Sequence, residues 1–337
     1  MRKPIKQTFC KLLFVSDLLV KTSSRGKIRL RKMAYICILL FPLFILILLR
    51  AYYIMWRVRC QKRKEESKAS YKYHLSIVAI AKNESEYIGE WLVFHKLIGV
   101  EKVYLYDNDS TDNMREVLEP YIADGFVVYN EVHGKRRQFD AYDDALRRYG
   151  HLTKYMAFID CDEFMMPLDS EKSLLEIVES IFVKDENAGG IGMNWCIFGS
   201  SGYKTKPAEG LVMENYTRHS VVSHERNYTI KTIVKPTCVI RFSHPHYPEY
   251  KPGFYGINLE GEIILNWWNK ISEYTGIRLN HYYCKSWEEY VKRNALGKPD
   301  RLGMSPVEQF YKDDRNEVLD ESILIYANDV KNLIYGR

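Results

Sequence analysis

Three acidic residues, Asp160, Asp162 and Glu163, lie at the end of an apolar run in the segment FIDCDEF, residues 158–164. Alternate residues of an extended strand point to the same side, so Asp160 and Asp162 could face one cleft. Two carboxylates can bind Mg²⁺ or Mn²⁺ and leave coordination positions for phosphate oxygens, and the metal would neutralise charge on a leaving diphosphate. The same acids could instead form a helix cap or a salt-bridge cluster where a strand meets a loop.

Polar and charged residues also follow the three apolar runs that precede this segment. The residues concerned are Lys82, Asn83, Glu84, Asp107, Asp112, Lys135, Arg136 and Arg137. The basic residues could approach a phosphate, while the amide and the carboxylates could form hydrogen bonds with a nucleoside. Ordinary turns, helix caps and a solvated basic helix start are the alternatives for each group taken by itself.

The chain between these groups alternates between strand-like and helix-like patterns. Short apolar, β-branched runs such as HLSIVAIA and KVYLYD predict buried strands, and the stretches between them carry apolar residues at helical spacing. This alternation predicts an α/β fold with a Rossmann-like, mostly parallel sheet and helices on both faces. Ligands of such sheets bind outside the carboxyl ends of the strands, so the polar groups should meet at one edge. Together they match the needs of a nucleotide-sugar donor.

The composition indicates a core-forming protein, since 46% of the 337 residues are hydrophobic and 14% are aromatic. The formal net charge is +6, but much of the basic excess precedes residue 73. This distribution argues against a nucleic-acid-binding body and favours contact with a membrane surface. The seven cysteines include no CxxC pair, which disfavours a zinc ribbon or a redox motif and favours free thiols.

The N-terminal part predicts one transmembrane helix, residues 33–56, between a basic tail, residues 1–32, and a charged linker, residues 57–72. The stretch is long enough to cross a hydrocarbon core of about 30 Å. A cleaved signal peptide and a buried helix of a soluble fold are the alternatives. Basic residues flank the span on both sides, so they give no orientation. Glycosylation sequons at Asn83 and Asn108 fall in the predicted ligand loops, which favours a cytosolic position for the domain that follows.

Several motifs, in their order along the chain, resemble glycosyltransferase family 92 and its bacterial relatives among the family 2-like GT-A enzymes. The motifs are AKNESEYIGEWLVFHKLIGV, YLYDNDSTDN, VLEPYIADGFV, AFIDCDEFMMP, NWCIFGSSG, KTIVKP, HPH and LNHYYCKSWEEYVKRNALGKPD. The resemblance covers about residues 74–300. It implies a GT-A domain over residues 73–300, followed by a helical C-terminal extension, residues 301–337. It also implies a nucleotide-diphosphosugar donor, a UDP-sugar first of all, and Mn²⁺ or Mg²⁺ at the sequence DCD.

The resemblance also implies roles for individual residues. Asp160 and Asp162 would contact the metal and the donor, with Glu163 as a supporting acid. His281 would be a late metal or diphosphate contact, and a core histidine bonded to the backbone is its alternative. The residues expected around the nucleotide are Asn83, Glu84, Asp107, Gln138 and Lys285, beside Lys82 and Arg137 from the strand-end loops.

The acceptor side is expected in residues 189–260, again by resemblance. Trp195 and Phe198 could stack on a sugar ring there, or they could be core aromatics. Members of the family invert the anomeric carbon, which requires a general base for the acceptor hydroxyl. Glu209 and Glu214 are the candidates for this base, and an exposed loop glutamate is the alternative for each.

These inferences predict a membrane-anchored, single-pass, metal-dependent glycosyltransferase that acts on a glycan or lipid-linked acceptor and binds no nucleic acid. A metal-dependent phosphodiesterase or nucleotidyltransferase is one alternative. It would need further metal ligands, for which the pair His244 and His246 is available. A non-catalytic, membrane-tethered carbohydrate-binding protein is the other alternative, and the complete set of strand-end loops argues against it.

Overall fold

The computed structural model describes residues 44–61, 70–295 and 306–335. It divides the chain into two compact units: residues 1–69 with 250–254, and residues 70–249 with 255–337. In the first unit, residues 44–61 form a helix, α1. Within that unit, the guanidinium group of Arg59 donates a hydrogen bond to the carbonyl of Gly253, at 3.4 Å.

The predicted transmembrane span lies partly outside the described residues, because residues 33–43 are not among them, and the basic tail lies wholly outside. The predicted linker begins at residue 57, but α1 continues through residue 61. Over residues 44–61, 70–295 and 306–335, no helix combines the length and the apolar character needed to cross a membrane.

The second unit begins with the strand and helix alternation that the sequence predicts. β1 pairs in parallel with both β2 and β4, and β2 pairs in parallel with β3. Strand β2 is buried along its whole length, as expected for a strand whose apolar run is continuous. The elements are β1 (Tyr73–Ala81), α2 (Ile88–Leu97), β2 (Lys102–Asp107), α3 (Met114–Ala123), β3 (Val127–Glu131), α4 (Gln138–Tyr149) and β4 (Thr153–Phe158).

The register brings the carboxyl ends of these strands together. Ala81 at the end of β1 is paired with Asp107 at the end of β2, and Asp107 is paired with Glu131 at the end of β3. Val78 of β1 is paired with Phe158, the last residue of β4. The loops that follow the four strands therefore begin at one edge of the sheet.

The remainder of the chain extends the sheet in mixed directions. The strand order is β12-β11-β6-β8-β4-β1-β2-β3, and β13 pairs with both β5 and β6. Its elements are β5 (Glu163–Pro167), α5 (Leu174–Val183), β6 (Ala188–Ile197), α6 (Val212–Asn215), β7 (Arg218–His219), β8 (Ile230–Val234), β9 (Val239–His244), β10 (Tyr247–Tyr250), β11 (Tyr255–Ile257), β12 (Ile263–Ile264), β13 (Ile277–His281), α7 (Trp287–Ala295), α8 (Pro306–Asp313), β14 (Val318–Leu319) and α9 (Ala327–Tyr335).

The sheet is mixed rather than mostly parallel, which corrects the prediction while the α/β class is confirmed. β8 runs antiparallel to both of its neighbours, β4 and β6. The segment between β6 and β8 holds the short helix α6, the two-residue strand β7 and one turn of 3₁₀ helix, Glu225–Tyr228, but no long crossover helix. A parallel neighbour requires a longer crossover connection, usually a helix, whereas an antiparallel neighbour does not.

The C-terminal residues belong to the same unit as the sheet. α9 packs against α2, and β14 pairs with β7, so the predicted helical extension also contains a strand. Asp320, just after β14, forms ion pairs with Arg278 of β13 and with His219 of β7. Through these contacts, residues 306–335 pack against the strands that support the candidate site.

Candidate active site

The acidic segment forms a turn rather than the end of a strand. β4 ends at Phe158 and β5 begins at Glu163, so residues 159–162, here called the DCD turn, leave the strand conformation. The amide of Glu163 donates to the carbonyl of Asp160 at 3.1 Å, and the Glu163 carboxylate accepts from the amide of Asp160 at 2.8 Å. The prediction that strand geometry aligns Asp160 with Asp162 was therefore wrong, because Glu163 closes the turn between them.

A buried lysine of β8 binds the acids of this turn. The Lys231 ammonium lies 2.8 Å from the Asp160 carboxylate and 3.8 Å from the Glu163 carboxylate. Lys231 and Glu163 are both fully buried. Burial raises the pKa of Glu163 well above its usual value. Burial alone would lower the pKa of Lys231, but the two acids raise it, so the lysine stays charged and balances them.

Lys231 is not among the site residues expected from the sequence. It lies far along the chain from the DCD turn, so no local spacing connects them. The one local signal is a lysine inside the apolar strand IKTIV, because a charged residue in a buried strand needs a partner of opposite charge.

Asp162 has different partners. The imidazole Nε2 of His281 lies 3.4 Å from one of its carboxylate oxygens, and Nη1 of Arg293 lies 3.2 Å from the other. Burial alone would raise the pKa of Asp162, but His281, Arg293 and Lys285 lower it below its usual range. Burial lowers the pKa of His281, which favours the neutral imidazole that a metal ligand requires.

The donor atoms at this turn fit a metal bound by two protein ligands. The Asp162 carboxylate and the His281 imidazole offer an oxygen and a nitrogen within 3.4 Å of each other. Asp160 is less available, because one oxygen pairs with Lys231 and the other accepts a hydrogen bond from Gln138 at 3.2 Å. The described parts of the chain hold no cluster of three or more His, Cys, Asp or Glu side chains suited to a metal. Mg²⁺ sites with one or two protein carboxylates commonly complete their coordination with phosphate oxygens and water.

A cavity of about 390 Å³, here called the larger cavity, lies beside this site. Arg293 lines it and also bonds Asp162, so the cavity and the candidate metal site share a residue. Its lining includes Lys82, Asn83, Glu84, Glu86, Asp112, Cys284, Lys285, Glu289, Lys292 and Arg293. Four cationic side chains therefore line the cavity beside four acidic ones, and the cations nearest the DCD turn could pair with an anion such as a diphosphate.

Two residues in the wall of this cavity have a left-handed backbone. Asn83 has φ of 58° and Lys285 has φ of 50°, values that are uncommon outside glycine. The Lys285 ammonium lies over the ring of Tyr87, 4.1 Å from its centroid. Burial raises the pKa of the neighbouring Glu84. Such backbone conformations persist where the surrounding contacts hold them, and they concentrate at ligand sites.

Asn83 and Asp107 hold the first two strand-end loops together. The amide of Asn83 donates to Ser110 Oγ at 3.0 Å, and the amide of Thr111 donates to Asn83 Oδ1 at 2.7 Å. Asp107 accepts hydrogen bonds from the amide of Ser110 at 2.9 Å and from the Tyr129 hydroxyl at 2.7 Å. Nucleotide contacts of these two residues remain predictions, and the structure shows that both order the loops.

Arg137 and Gln138 are adjacent in sequence, but their side chains contact different parts of the structure. Gln138 Nε2 donates to Asp160 and, at 2.9 Å, to the Tyr142 hydroxyl, so it belongs to the DCD turn. Arg137 is exposed, and it bonds the carboxylate of Asp140 and the carbonyl of His133, each at 2.7 Å. The structure thus brings Gln138 into the site and leaves Arg137 in local contacts at the start of α4.

The two candidate bases have unlike surroundings. Glu209 is exposed and lines a cavity of about 370 Å³, here called the smaller cavity. This cavity shares Tyr87 and Glu289 with the larger cavity. Glu214 accepts a hydrogen bond from the amide of Leu211 at 2.9 Å and pairs with Lys331 at 2.5 Å. Its carboxylate is thus occupied by contacts that stabilise the start of α6.

Glu90 is a further acid that the sequence analysis did not single out. It lines the smaller cavity, is buried, and accepts hydrogen bonds from the amides of Val212 at 2.7 Å and Met213 at 3.0 Å. Burial raises its pKa to about 7. Both oxygens are engaged with the backbone, so Glu90 acts as a cap for α6.

The two aromatic residues expected on the acceptor side, Trp195 and Phe198, lie in different surroundings. Phe198 is fully buried and packs against His219 and Tyr282, so of its two expected roles the core aromatic holds and sugar stacking does not. Trp195 is 7% exposed, and its indole nitrogen donates to Glu163 at 2.7 Å. Its ring lies 4.4 Å from that of His281, so Trp195 supports the candidate metal ligand from below the surface.

We expect Lys231→Met to lower the free energy of unfolding by about 3–5 kcal/mol, because the substitution leaves the fully buried Glu163 and the partly buried Asp160 without their cation. The control is Lys154→Met, which breaks a 2.5 Å pair with Glu179 between partly exposed side chains and should cost less than about 1 kcal/mol. Urea unfolding of the full chain measures both. Equal losses from the two variants would contradict the role given to Lys231.

Comparison with known proteins places the chain in a family. Residues 75–299 match glycosyltransferase family 92. A family 92 protein of Ricinus communis, RCOM_0530710, is 28% identical over 66% of this chain and 37% of that protein. The β-1,4-galactosyltransferase galt-1 of Caenorhabditis elegans is 25% identical over 71% of this chain and 56% of that protein. Among solved structures, Staphylococcus aureus TarS 1–349 matches 49% of this chain and 48% of that chain, with a TM-score of 0.34 and 15% identity.

The alignments cover only part of the relatives. This chain spans 37%, 44% and 56% of the Ricinus, Arabidopsis thaliana (At1g27200) and Caenorhabditis proteins, respectively. The family match itself extends over about two thirds of this chain, residues 75–299, and includes the DCD turn, Lys231 and Arg293. The chain therefore belongs to glycosyltransferase family 92.

Proposed function

We propose that this chain is a metal-dependent, inverting glycosyltransferase with a GT-A fold that takes its sugar from a UDP-sugar. The observation that carries the proposal is the position of Arg293. It bonds Asp162 at the candidate metal site and also lines the larger cavity, whose other cations are Lys82, Lys285 and Lys292. A metal site for a diphosphate and a polar cavity with both basic and acidic side chains for a nucleotide are thereby adjacent, as the transfer of a glycosyl group from a nucleotide diphosphate requires.

Each side chain at the DCD turn has a distinct role in this proposal. Asp162 and His281 would hold Mn²⁺ or Mg²⁺, which when bound neutralises charge on the leaving diphosphate. Lys285 and Arg293 attract the phosphate oxygens from the cavity side. Asp160, oriented by Lys231 and Gln138, accepts hydrogen bonds from hydroxyl groups of the donor.

Transfer proceeds by a single displacement at the anomeric carbon. The acceptor hydroxyl oxygen bonds to that carbon while the bond to the diphosphate oxygen breaks, and the electron pair leaves with the diphosphate. The hydroxyl proton goes to a general base, for which Glu209 is the better of the two candidates. Its carboxylate lines the smaller cavity and has no hydrogen bond or ion pair to another residue within 70–295 or 306–335, whereas Glu214 is engaged by Lys331.

The names of relatives suggest which donor to test first. The Caenorhabditis relative is a β-1,4-galactosyltransferase, and an Arabidopsis relative, GALS2, 29% identical over 28% of this chain, is a galactan β-1,4-galactosyltransferase. We therefore propose UDP-galactose as the first candidate donor and a glycan as the acceptor, with a lipid-linked acceptor as the second choice.

Membrane anchoring remains part of the proposal on sequence grounds. The apolar run of residues 33–56 would anchor the protein as a single-pass membrane protein, with the catalytic domain on the cytosolic side. Protease protection of intact vesicles that carry the full chain tests both statements, since a cytosolic domain is digested without detergent.

The full chain should release one nucleotide from its sugar donor when Mn²⁺ or Mg²⁺ is present, and release should stop with EDTA. We expect Asp162→Asn to lower this rate about 100-fold or more, because it removes an anionic ligand. Asp124→Asn is the matched control. Asp124 follows α3 and pairs with Lys96 at the opposite edge of the sheet, so its loss should leave the rate within about twofold. Release of UDP, GDP or CMP is measured from the corresponding UDP-, GDP- and CMP-sugars.

Two outcomes would count against this proposal. Metal-independent nucleotide release, or equal release rates for Asp162→Asn and Asp124→Asn, would contradict the proposal that a metal bound by Asp162 takes part in the reaction. Absence of both release and calorimetric binding for every donor, from a folded chain, would favour a non-catalytic carbohydrate-binding protein.

Glu209→Gln should lower the rate of transfer to a β-1,4-linked galactobiose acceptor by about 10²–10⁴-fold, because the acceptor hydroxyl loses its base. The affinity for UDP should not change. Glu214→Gln serves as the comparison, since this residue stabilises α6 and should retain transfer within about threefold. A Glu209→Gln variant with the wild-type transfer rate would exclude this residue as the base.

A further inference from the structure

Two adjacent tryptophans, Trp267 and Trp268, stand out on the surface between β12 and β13. Trp267 is 41% exposed and Trp268 is 46% exposed, although large aromatic side chains are usually well buried. We call them the tryptophan pair. Asn266 and Lys270, both exposed, flank the pair with polar groups.

The backbone beneath the pair is held firmly. The amide of Ile230 donates to the carbonyl of Trp267 at 3.1 Å, and the amide of Trp268 donates to the Asn266 side chain at 2.8 Å. Asn269 is buried and exchanges hydrogen bonds with Asn194 of β6, at 2.7 and 2.8 Å. The exposed indoles therefore project from a fixed segment, and ordering them on binding a ligand costs little entropy.

A continuous series of ring contacts connects the pair to the DCD turn. The rings, in order, are Trp267, His244, His246, Trp195 and His281, with successive centroids 5.3, 5.2, 5.1 and 4.4 Å apart. His281 in turn lies 3.4 Å from Asp162. The ring of His244 is stacked on Trp267 at 12°, and Tyr228 supports Trp268 edge-on at 5.3 Å.

We infer that the tryptophan pair is the binding platform for a saccharide acceptor, and this inference rests on the proposed glycosyltransferase function. A pyranose has an apolar C–H face that packs on an indole and a rim of hydroxyl groups that bond polar neighbours such as Asn266 and Lys270. The ring series joins the platform, through four successive ring contacts, to the residues that would hold the donor. An acceptor that extends from the platform toward Trp195 and His281 would bring its far end to the donor.

The surroundings favour a saccharide over a lipid or an apolar protein surface. His244 and His246, which the phosphodiesterase alternative would use as metal ligands, are instead packed into the ring series. The amide of His246 donates to Nδ1 of His244 at 3.3 Å, and Nδ1 of His246 contacts the carbonyl of Ile230 at 2.9 Å. His244 thus supports the Trp267 indole from beneath, and His246 supports His244, which suits a flat, rigid stacking surface.

The test is calorimetric titration of the full chain, saturated with UDP and Mn²⁺, with four tetrasaccharides: β-1,4-galactotetraose, cellotetraose, mannotetraose and chitotetraose. We expect one of them to bind. Trp267→Ala and Trp268→Ala should each weaken that binding about tenfold, the effect of losing one aromatic stacking contact. Trp267→Phe and Trp268→Phe should retain most of the affinity, and the affinity for UDP should be unchanged in all variants.

The matched control is Tyr311→Ala, which removes an aromatic ring that is 71% exposed on α8 and should leave saccharide binding unchanged. Failure of all four tetrasaccharides to bind the wild-type chain would overturn the inference, as would equal binding by the tryptophan variants. Loss of binding to phosphatidylcholine–phosphatidylserine vesicles in those variants, with saccharide binding intact, would assign the pair to a membrane face instead.

The outcomes also distinguish this inference from the function on which it rests. UDP binding and donor hydrolysis without saccharide binding would refute the platform and leave the glycosyltransferase proposal standing. Saccharide binding that depends on the pair, in a chain that hydrolyses no nucleotide sugar, would support the platform and refute the proposed transfer.

Discussion

The balance of charge around Lys231 is the constraint on which the rest of the site depends. Two carboxylates, Asp160 and Glu163, are held near one another by a turn that they themselves close. Glu163 is fully buried and Asp160 partly so, and a buried acid without a nearby cation is protonated more readily. One ammonium group, supplied by β8, satisfies both acids. Glu163 can then anchor Trp195, whose ring supports His281.

A second cation completes this arrangement from another part of the chain. Arg293 of α7 serves Asp162, stacks on Tyr283 at 4.4 Å and reaches the larger cavity. Each aspartate of the DCD turn thus has its own cationic partner: Lys231 of β8 for Asp160 and Arg293 of α7 for Asp162. Lys231 is fully buried and structural, whereas Arg293 lines the larger cavity, in which we propose that the diphosphate binds. A preorganised site of this kind stabilises charge as it develops, with little rearrangement.

The first half of the domain could be predicted from the sequence because its signals are local. Strands β1 to β4 are short apolar runs, and the loops that follow them carry the polar residues that meet at one edge. The partners of the acids could not be predicted, because Lys231 and Arg293 lie far along the chain and their strand and helix are placed by tertiary packing. The direction of β8 was missed for the same reason. Phe198 shows that an aromatic in a recognisable motif can belong to the core.

The central claim is that the larger cavity and the DCD turn together bind one nucleotide diphosphate. The most direct test is the crystal structure of the full chain with UDP and Mn²⁺. We expect the uridine to lie in the larger cavity and the diphosphate to lie beside Asp162, His281 and Arg293. A diphosphate in the smaller cavity beside Glu209, or one away from Asp162, would contradict it.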